Sequence, residues 1–254
     1  MKNNCFRPTV LLLLLSAFIS VSHAKAKPKA TAGIDTAGLA DLTVAQKTEI
    51  LRSLDSVGIP LASVEGAVWK RRKATYLVLA QDSAGQPDTV NYHLFAFDLS
   101  APKPRLAAAS DTETLPERDR LGGFDLAAYK IKPDEFAFGV GYSRMRGYAA
   151  GSATLEGKII YRLKGSAIKG ILDAVTAFEA DLAGSWNEDG SRDRSMNSGS
   201  AVLIVTGKKT QGYFDWLLKA DTGKTGRFKW EEDGYVLQGN LPFPVDDFEI
   251  FDDP

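Results

Sequence analysis

Oxygen-bearing side chains alternate along Ser185-Trp186-Asn187-Glu188-Asp189-Gly190-Ser191-Arg192-Asp193, at positions 185, 187, 189 and 193, and a glycine follows the third of them. Calcium takes six to eight oxygens, often from a tight loop that offers carboxylates and amides at every second residue. Alternation turns successive side chains inward as the backbone wraps, and the glycine permits the sharp bend. Asn187, Asp189 and Asp193 are good ligands. Ser185 is a poor one where an aspartate would serve, and the Ser191 carbonyl could contribute; position 196 is Met, so no bidentate glutamate closes the loop. The competing reading is a plain hairpin turn, in which Asn187 and Asp189 bond their own backbone and Gly190 takes a positive φ.

Other chemistry is restricted by composition. The single cysteine, Cys5, lies before an apolar run from Val10 to Val21 that follows Lys2 and Arg7 and ends at Ser22-His23-Ala24. That pattern fits a secretory leader, residues 1–24, cleaved after Ala24. The apolar run is about a dozen residues, short of the ~20 needed to span a bilayer, so no transmembrane segment is expected once the leader is removed. The mature chain then has no cysteine and one histidine, His93, which excludes disulfides, thiolate catalysis, zinc–thiolate sites and metal sites with two or more histidines. His93 lies on an aromatic strand face without the nucleophile and orienting group a catalytic base needs. Glu179 with Asp181, or Asp98 with Asp111 or Asp125, could form a glycosidase pair only at a set separation in a cleft. Arg144-Met145-Arg146-Gly147-Tyr148-Ala149-Ala150-Gly151 could hold an anion through its amides and arginines but reads more simply as a hairpin loop. Trp69, Trp186, Trp216 and Trp230 could stack on sugar rings, but in clean alternation such residues more often fill a core.

The stretch from Trp186 to Asp193 resembles the D-x-N-x-D-G-x-x-D loop of FG-GAP or VCBS-type repeats. That resemblance covers about nine residues and occurs once, with Ser185 in place of the first carboxylate. It implies a calcium-binding turn between strands of a β-rich extracellular domain, and it carries no established activity to transfer.

The elements around these residues follow from periodicity. Residues 25–41 are rich in Ala, Lys, Gly, Thr and Pro without a period, as in a flexible linker. Thr43 and Gln46 form a capping box, and Val44, Lys47, Ile50, Leu51 and Leu54 recur at helical spacing until Gly58-Ile59-Pro60, which predicts one helix over 43–57. Beyond residue 60 the pattern is β. Tyr76-Leu77-Val78-Leu79 reads as a strand buried on both faces, and Tyr92 to Leu99 alternates. Phe136, Phe138, Val140 and Tyr142 share one face, opposite Ala137, Gly139 and Gly141. Strands follow at 124–131, 157–164, 201–205, 214–218 and 228–231; residues 171–182 read as strand although their alanine content would suit a helix. Gly165-Ser166 and Asp233-Gly234 are hairpin turns. Strands so closely spaced predict a mainly β, antiparallel domain over 42–245 (a sandwich, an open barrel or propeller-like hairpins) with one N-terminal helix and an acidic tail at 246–254.

The chain has 31 Lys+Arg against 32 Asp+Glu; without Lys2 and Arg7 the balance is 29 to 32. A nucleic-acid binder would show a basic excess, so none is expected as a partner. These features together predict an exported, periplasmic or secreted, non-enzymatic β domain that binds a protein or an envelope polysaccharide, with calcium at 185–193 as the one cofactor the residues could take. A carboxylate-based hydrolase of envelope glycans and a periplasmic enzyme inhibitor are the alternatives. Two mutually close acids, one with a raised pKa, would favour the hydrolase.

Overall fold

The computed structural model describes residues 38–83, 89–116, 119–148 and 151–243. The expected leader, most of the expected linker and the expected acidic tail lie outside the described residues. Residues 38–41, the last four of the expected linker, are packed: Leu39 is fully buried, Gly66 N–H donates to the Gly38 carbonyl at 2.9 Å, and the Tyr76 hydroxyl donates to the Ala40 carbonyl at 2.7 Å.

Helix α1 (Val44–Val57) starts where the capping box places it: Thr43 Oγ1 accepts from the Gln46 amide and the Gln46 side chain accepts from Thr43 N–H. It ends at Gly58, whose φ of 79° is left-handed and suits glycine because no Cβ opposes it. Ile50 and Leu54 are buried, whereas Val44, expected on the same stripe, is 82% exposed; the helix reaches the sheet only from Ile50 onward.

Thirteen strands follow among the described residues. The first group is β1 (Leu61–Val68), β2 (Thr75–Asp82), β3 (Thr89–Asp98), β4 (Arg105–Ala109) and β5 (Glu113–Pro116). A second is β6 (Asp119–Lys132), β7 (Glu135–Tyr148), β8 (Gly151–Lys164) and β9 (Ala167–Trp186). The third is β10 (Arg192–Thr210), β11 (Tyr213–Ala220), β12 (Thr225–Glu231) and β13 (Gly234–Gln238). Strand pairs are antiparallel as expected, except that β4 and β9 meet in parallel at Ala109 and Ala167, so the sheet is mixed and is not closed into a barrel. The ambiguous stretch 171–182 lies inside β9. This strand joins the groups: it pairs with β8 from Ala167 to Leu182 and with β10 from Ala177 to Trp186. β10 then leaves β9 after Ser200 and pairs with β11 from Ala201, so one sheet folds back on itself as a sandwich.

Three apolar clusters hold the layers together. Tyr76, Val78, Phe95 and Phe97 face Ile50 and Leu54 of α1. Leu77, Leu79, Tyr92 and Leu94, on the other face of the same strands, meet Phe138, Val140, Tyr142 and Tyr161. Ala137, Ile160 and Ala174, on the far face of the second group, meet Trp216, Leu218, Phe228 and Trp230. Each buried large apolar side chain contributes about 1.5–3 kcal/mol, so the second group, covered on both faces, carries much of the stability. Close approach within it depends on Gly157, opposite Tyr142 in the β7–β8 register: a Cβ there would lie 2.3 Å from Tyr142 Cζ. No helix among the described residues is long and apolar enough to cross a membrane.

Candidate functional site

The turn from Asn187 to Ser191 joins β9 to β10. Gly190 N–H donates to the Asn187 carbonyl at 3.0 Å, and Asn187 N–H donates to the Ser191 carbonyl at 2.8 Å. With Gly190 at φ 77°, this is a three-residue hairpin loop whose third residue must be left-handed. Asparagine at its first position and glycine at its fourth are what a type I turn favours. Asn187 Nδ2 donates to Ser191 Oγ and to Asp193 Oδ1, both at 3.0 Å. Asp189 Oδ1 accepts from Ser191 N–H at 2.8 Å, and hydrogen bonds from Ser191 hold its carboxyl below the usual carboxylate range. Ser185, on β9, takes no part in these bonds. Asn187 and Asp193 thus meet through an amide nitrogen, Asp189 faces the turn's own backbone, and the Ser191 carbonyl accepts from Asn187. In this arrangement the turn does not present the six to eight oxygens calcium takes. Among the described residues no group of three or more His, Cys, Asp or Glu could hold a metal ion.

The acidic candidates are dispersed. Asp98 accepts from Ser100 N–H and Arg105, Asp125 from Lys158, Tyr129 and Ala127 N–H, and Asp181 from Arg194. His93 is buried on β3, stacked on Phe95 with centroids 6.2 Å apart, and burial lowers its pKa. Arg144 to Tyr148, expected as part of a hairpin loop, are strand paired with Gly151–Leu155 of β8, and Arg144 is engaged: Nε and Nη2 donate to the carboxylate of Asp119, whose side chain is 0% exposed. Close by, the Tyr142 hydroxyl donates to Asp173 Oδ1 at 2.8 Å. Asp173 sits at an exposed position of β9, but the protein massed around its carboxyl raises its pKa, with the charge of Asp119 adding to the rise and Tyr142 and Arg144 opposing it.

A different constellation gathers at the end of the sheet where the β1–β2, β6–β7 and β10–β11 turns lie together. The first turn carries the exposed run Lys70-Arg71-Arg72-Lys73, closed by Arg72 N–H donating to the Trp69 carbonyl and Trp69 N–H to that of Thr75. The Arg71 guanidinium lies 5.5 Å from the Phe136 ring centre, and Lys130 Nζ lies 5.8 Å from both Phe136 and Phe214. Lys209 Nζ is 4.7 Å from Phe214 and Lys132 Nζ 4.0 Å from Tyr213. All three rings are half-buried. Tyr213 is held in place: it stacks on Trp230 at 3.7 Å and 5°, and its hydroxyl accepts from Arg162, which also forms a two-bonded ion pair with Glu135. Among the described residues, Arg71, Lys130, Lys132 and Lys209 have no ion-pair partner. Sequence reasoning missed this site. Its traces were the 70–73 basic run and Lys208-Lys209 close before Tyr213-Phe214. Of the four tryptophans, Trp69, Trp216 and Trp230 are core residues, while Trp186 is 70% exposed with Arg192 5.2 Å from its ring.

No protein-family model, curated protein or solved structure matches the chain.

Proposed function

We propose that the chain is an exported binding domain without a catalytic role, and that it engages an envelope polysaccharide at the cation-and-ring end of its sheet. One observation carries this reading: Phe136 and Phe214, from two separate hairpins, are half-exposed and share Lys130, whose Nζ lies 5.8 Å from each ring, with Arg71 beside the first and Lys209 beside the second, and among the described residues none of these cations is in an ion pair. Half-exposed rings offer apolar edges to the C–H surface of a sugar, and cations beside them bind its oxygens. The 185–193 turn serves as a structural hairpin closure. The hydrolase alternative draws on Asp173 and Asp119, but Asp119 is fully buried and clamped by Arg144, which removes it as the second carboxylate of such a pair. Affinity electrophoresis through gels containing a panel of acidic and neutral polysaccharides tests the reading. Retardation should fall at least about tenfold in affinity, roughly 1.4 kcal/mol, in Phe136→Ala/Phe214→Ala, with the circular dichroism unchanged. Equal retardation of the variant would overturn it.

A further inference from the structure

We infer that the ligand of this end is an acidic polysaccharide, bearing carboxylate or sulfate groups, rather than a neutral one; this rests on the polysaccharide reading above. A neutral glycan makes no use of charge, yet the rings are bordered by Arg71, Lys130, Lys132 and Lys209, none of them paired. Lys70, Arg72 and Lys73 flank Arg71 in the same exposed turn, and Lys208 precedes Lys209. Counter-charge on the strands that carry the rings and Lys130 is largely engaged: Glu135 is taken by Arg162 and Asp125 by Lys158, and Asp215 is buried and accepts from Thr210 Oγ1, while Asp134 lies in the β6–β7 turn. Glu231, Glu232 and Asp233 follow Trp230 and bound the strip on the side of Tyr213, so the cations form a stripe running from the β1–β2 turn to the β10–β11 turn. The net charge of the whole chain is −1; the positive charge is a local arrangement, not a general excess.

The rings favour a sugar acid over a nucleic acid. A nucleobase needs an open ring face to stack on, whereas Tyr213 lies flat on Trp230 at 3.7 Å and has Lys132 Nζ 4.0 Å from its centre. A chain of sugar acids needs charges in a row with apolar edges between them, which is the order here: Arg71, Phe136, Lys130, Phe214, Lys209.

Binding that releases the counterions of a polyanion depends steeply on salt, with a slope of about 0.7 per neutralised charge for a single strand. Four cations then weaken binding about fifty-fold between 50 and 200 mM salt, and Lys130→Gln/Lys209→Gln, with two left, about sevenfold. The test measures affinity of the full chain for two matched pairs of probes: polygalacturonate and its carboxyl-reduced form, and dextran sulfate and dextran. Retention of an acidic member alone, with the salt slope halved in Lys130→Gln/Lys209→Gln, supports the inference. Equal, salt-independent retention of acidic and neutral members overturns it while leaving the polysaccharide reading intact. Retention of neither pair at 50 mM salt overturns both. Oligothymidylate bound as tightly as the acidic glycans, and equally well by Phe136→Ala/Phe214→Ala, overturns the choice of a glycan.

Discussion

Replacing Gly157 with alanine should destabilise the protein through one ring. The added Cβ would stand 2.3 Å from Tyr142 Cζ, 2.4 Å from its hydroxyl oxygen and 2.7 Å from Cε1, and Tyr142 is only 7% exposed, so the ring has little room to give. Forcing an extra methyl into a packed site costs typically ~1–3 kcal/mol. Moving the ring also breaks the 2.8 Å hydrogen bond to Asp173, a loss of about 1 kcal/mol. Against this, alanine restricts the unfolded chain and returns ~0.4–1 kcal/mol, since Gly157 is not among the glycines of positive φ. The net is about 2 kcal/mol, which at ~2–4 °C per kcal/mol for a domain of this size lowers Tm by about 4–8 °C. Scanning calorimetry reads it. Gly170→Ala is the control: its new Cβ would make ordinary contacts at 3.6 and 3.7 Å with Ile159 and Tyr161, and it should be neutral or slightly stabilising. In a Tyr142→Ala background the effect of Gly157→Ala should disappear, because the two residues share one space. A Gly157→Ala protein that melts within about 1 °C of the parent, or an effect undiminished without the tyrosine ring, would refute the account.

Two other perturbations bear on the candidate residues. If the 187–191 turn is closed by its own hydrogen bonds, millimolar calcium should leave Tm unchanged, and Asp189→Ala should lower it slightly and equally with or without the metal; a calcium-dependent rise that Asp189→Ala abolishes would restore the FG-GAP-like metal loop. Asp173 has a raised pKa because its surroundings disfavour the charged carboxylate, so its contribution to stability is full below the unfolded value and is lost as pH rises through the folded one. Asp173→Asn keeps an acceptor for the Tyr142 hydroxyl, so its melting temperature relative to the parent should rise between pH 3 and pH 7; a gap that stays constant or narrows with pH would contradict that.

What could be read from sequence was what is local. Thr43 and Gln46 sit three residues apart and cap a helix by themselves. Tyr76 to Leu79 announces burial on both faces because four apolar residues in a row cannot all point one way, and the structure divides them between two clusters. Phe136, Phe138, Val140 and Tyr142 read as a face for the same reason. The N-x-x-G turn at 187–190 was legible as one of two readings. By contrast β10 begins at Arg192 with a run of polar, mostly exposed residues; they are strand because β9 is there to pair with them, which periodicity cannot see. Arg144 to Tyr148 has the composition of a loop and is strand because β8 runs alongside. The cation-and-ring end was least accessible, since Arg71 and Phe136, or Lys130 and Phe214, are neighbours only after the sheet folds back on itself.

That folding also argues for where binding can occur. The second group of strands is covered on both faces, and the first is covered by α1 on its outer side, so neither offers a face to a large ligand. On these two groups, what remains open to a large ligand is the strand ends, where rigid elements present turns to solvent. At this end the rings are already fixed: Trp230 backs Tyr213, and Arg162 ties the Tyr213 hydroxyl to Glu135. A ligand would therefore have to immobilise lysine and arginine side chains but not the aromatic floor, at ~0.5–1.5 kcal/mol for each long side chain ordered. Such a surface binds extended polymers weakly per residue and gains by repetition along the chain. Short acidic oligosaccharides should accordingly bind far less tightly than long ones of the same composition.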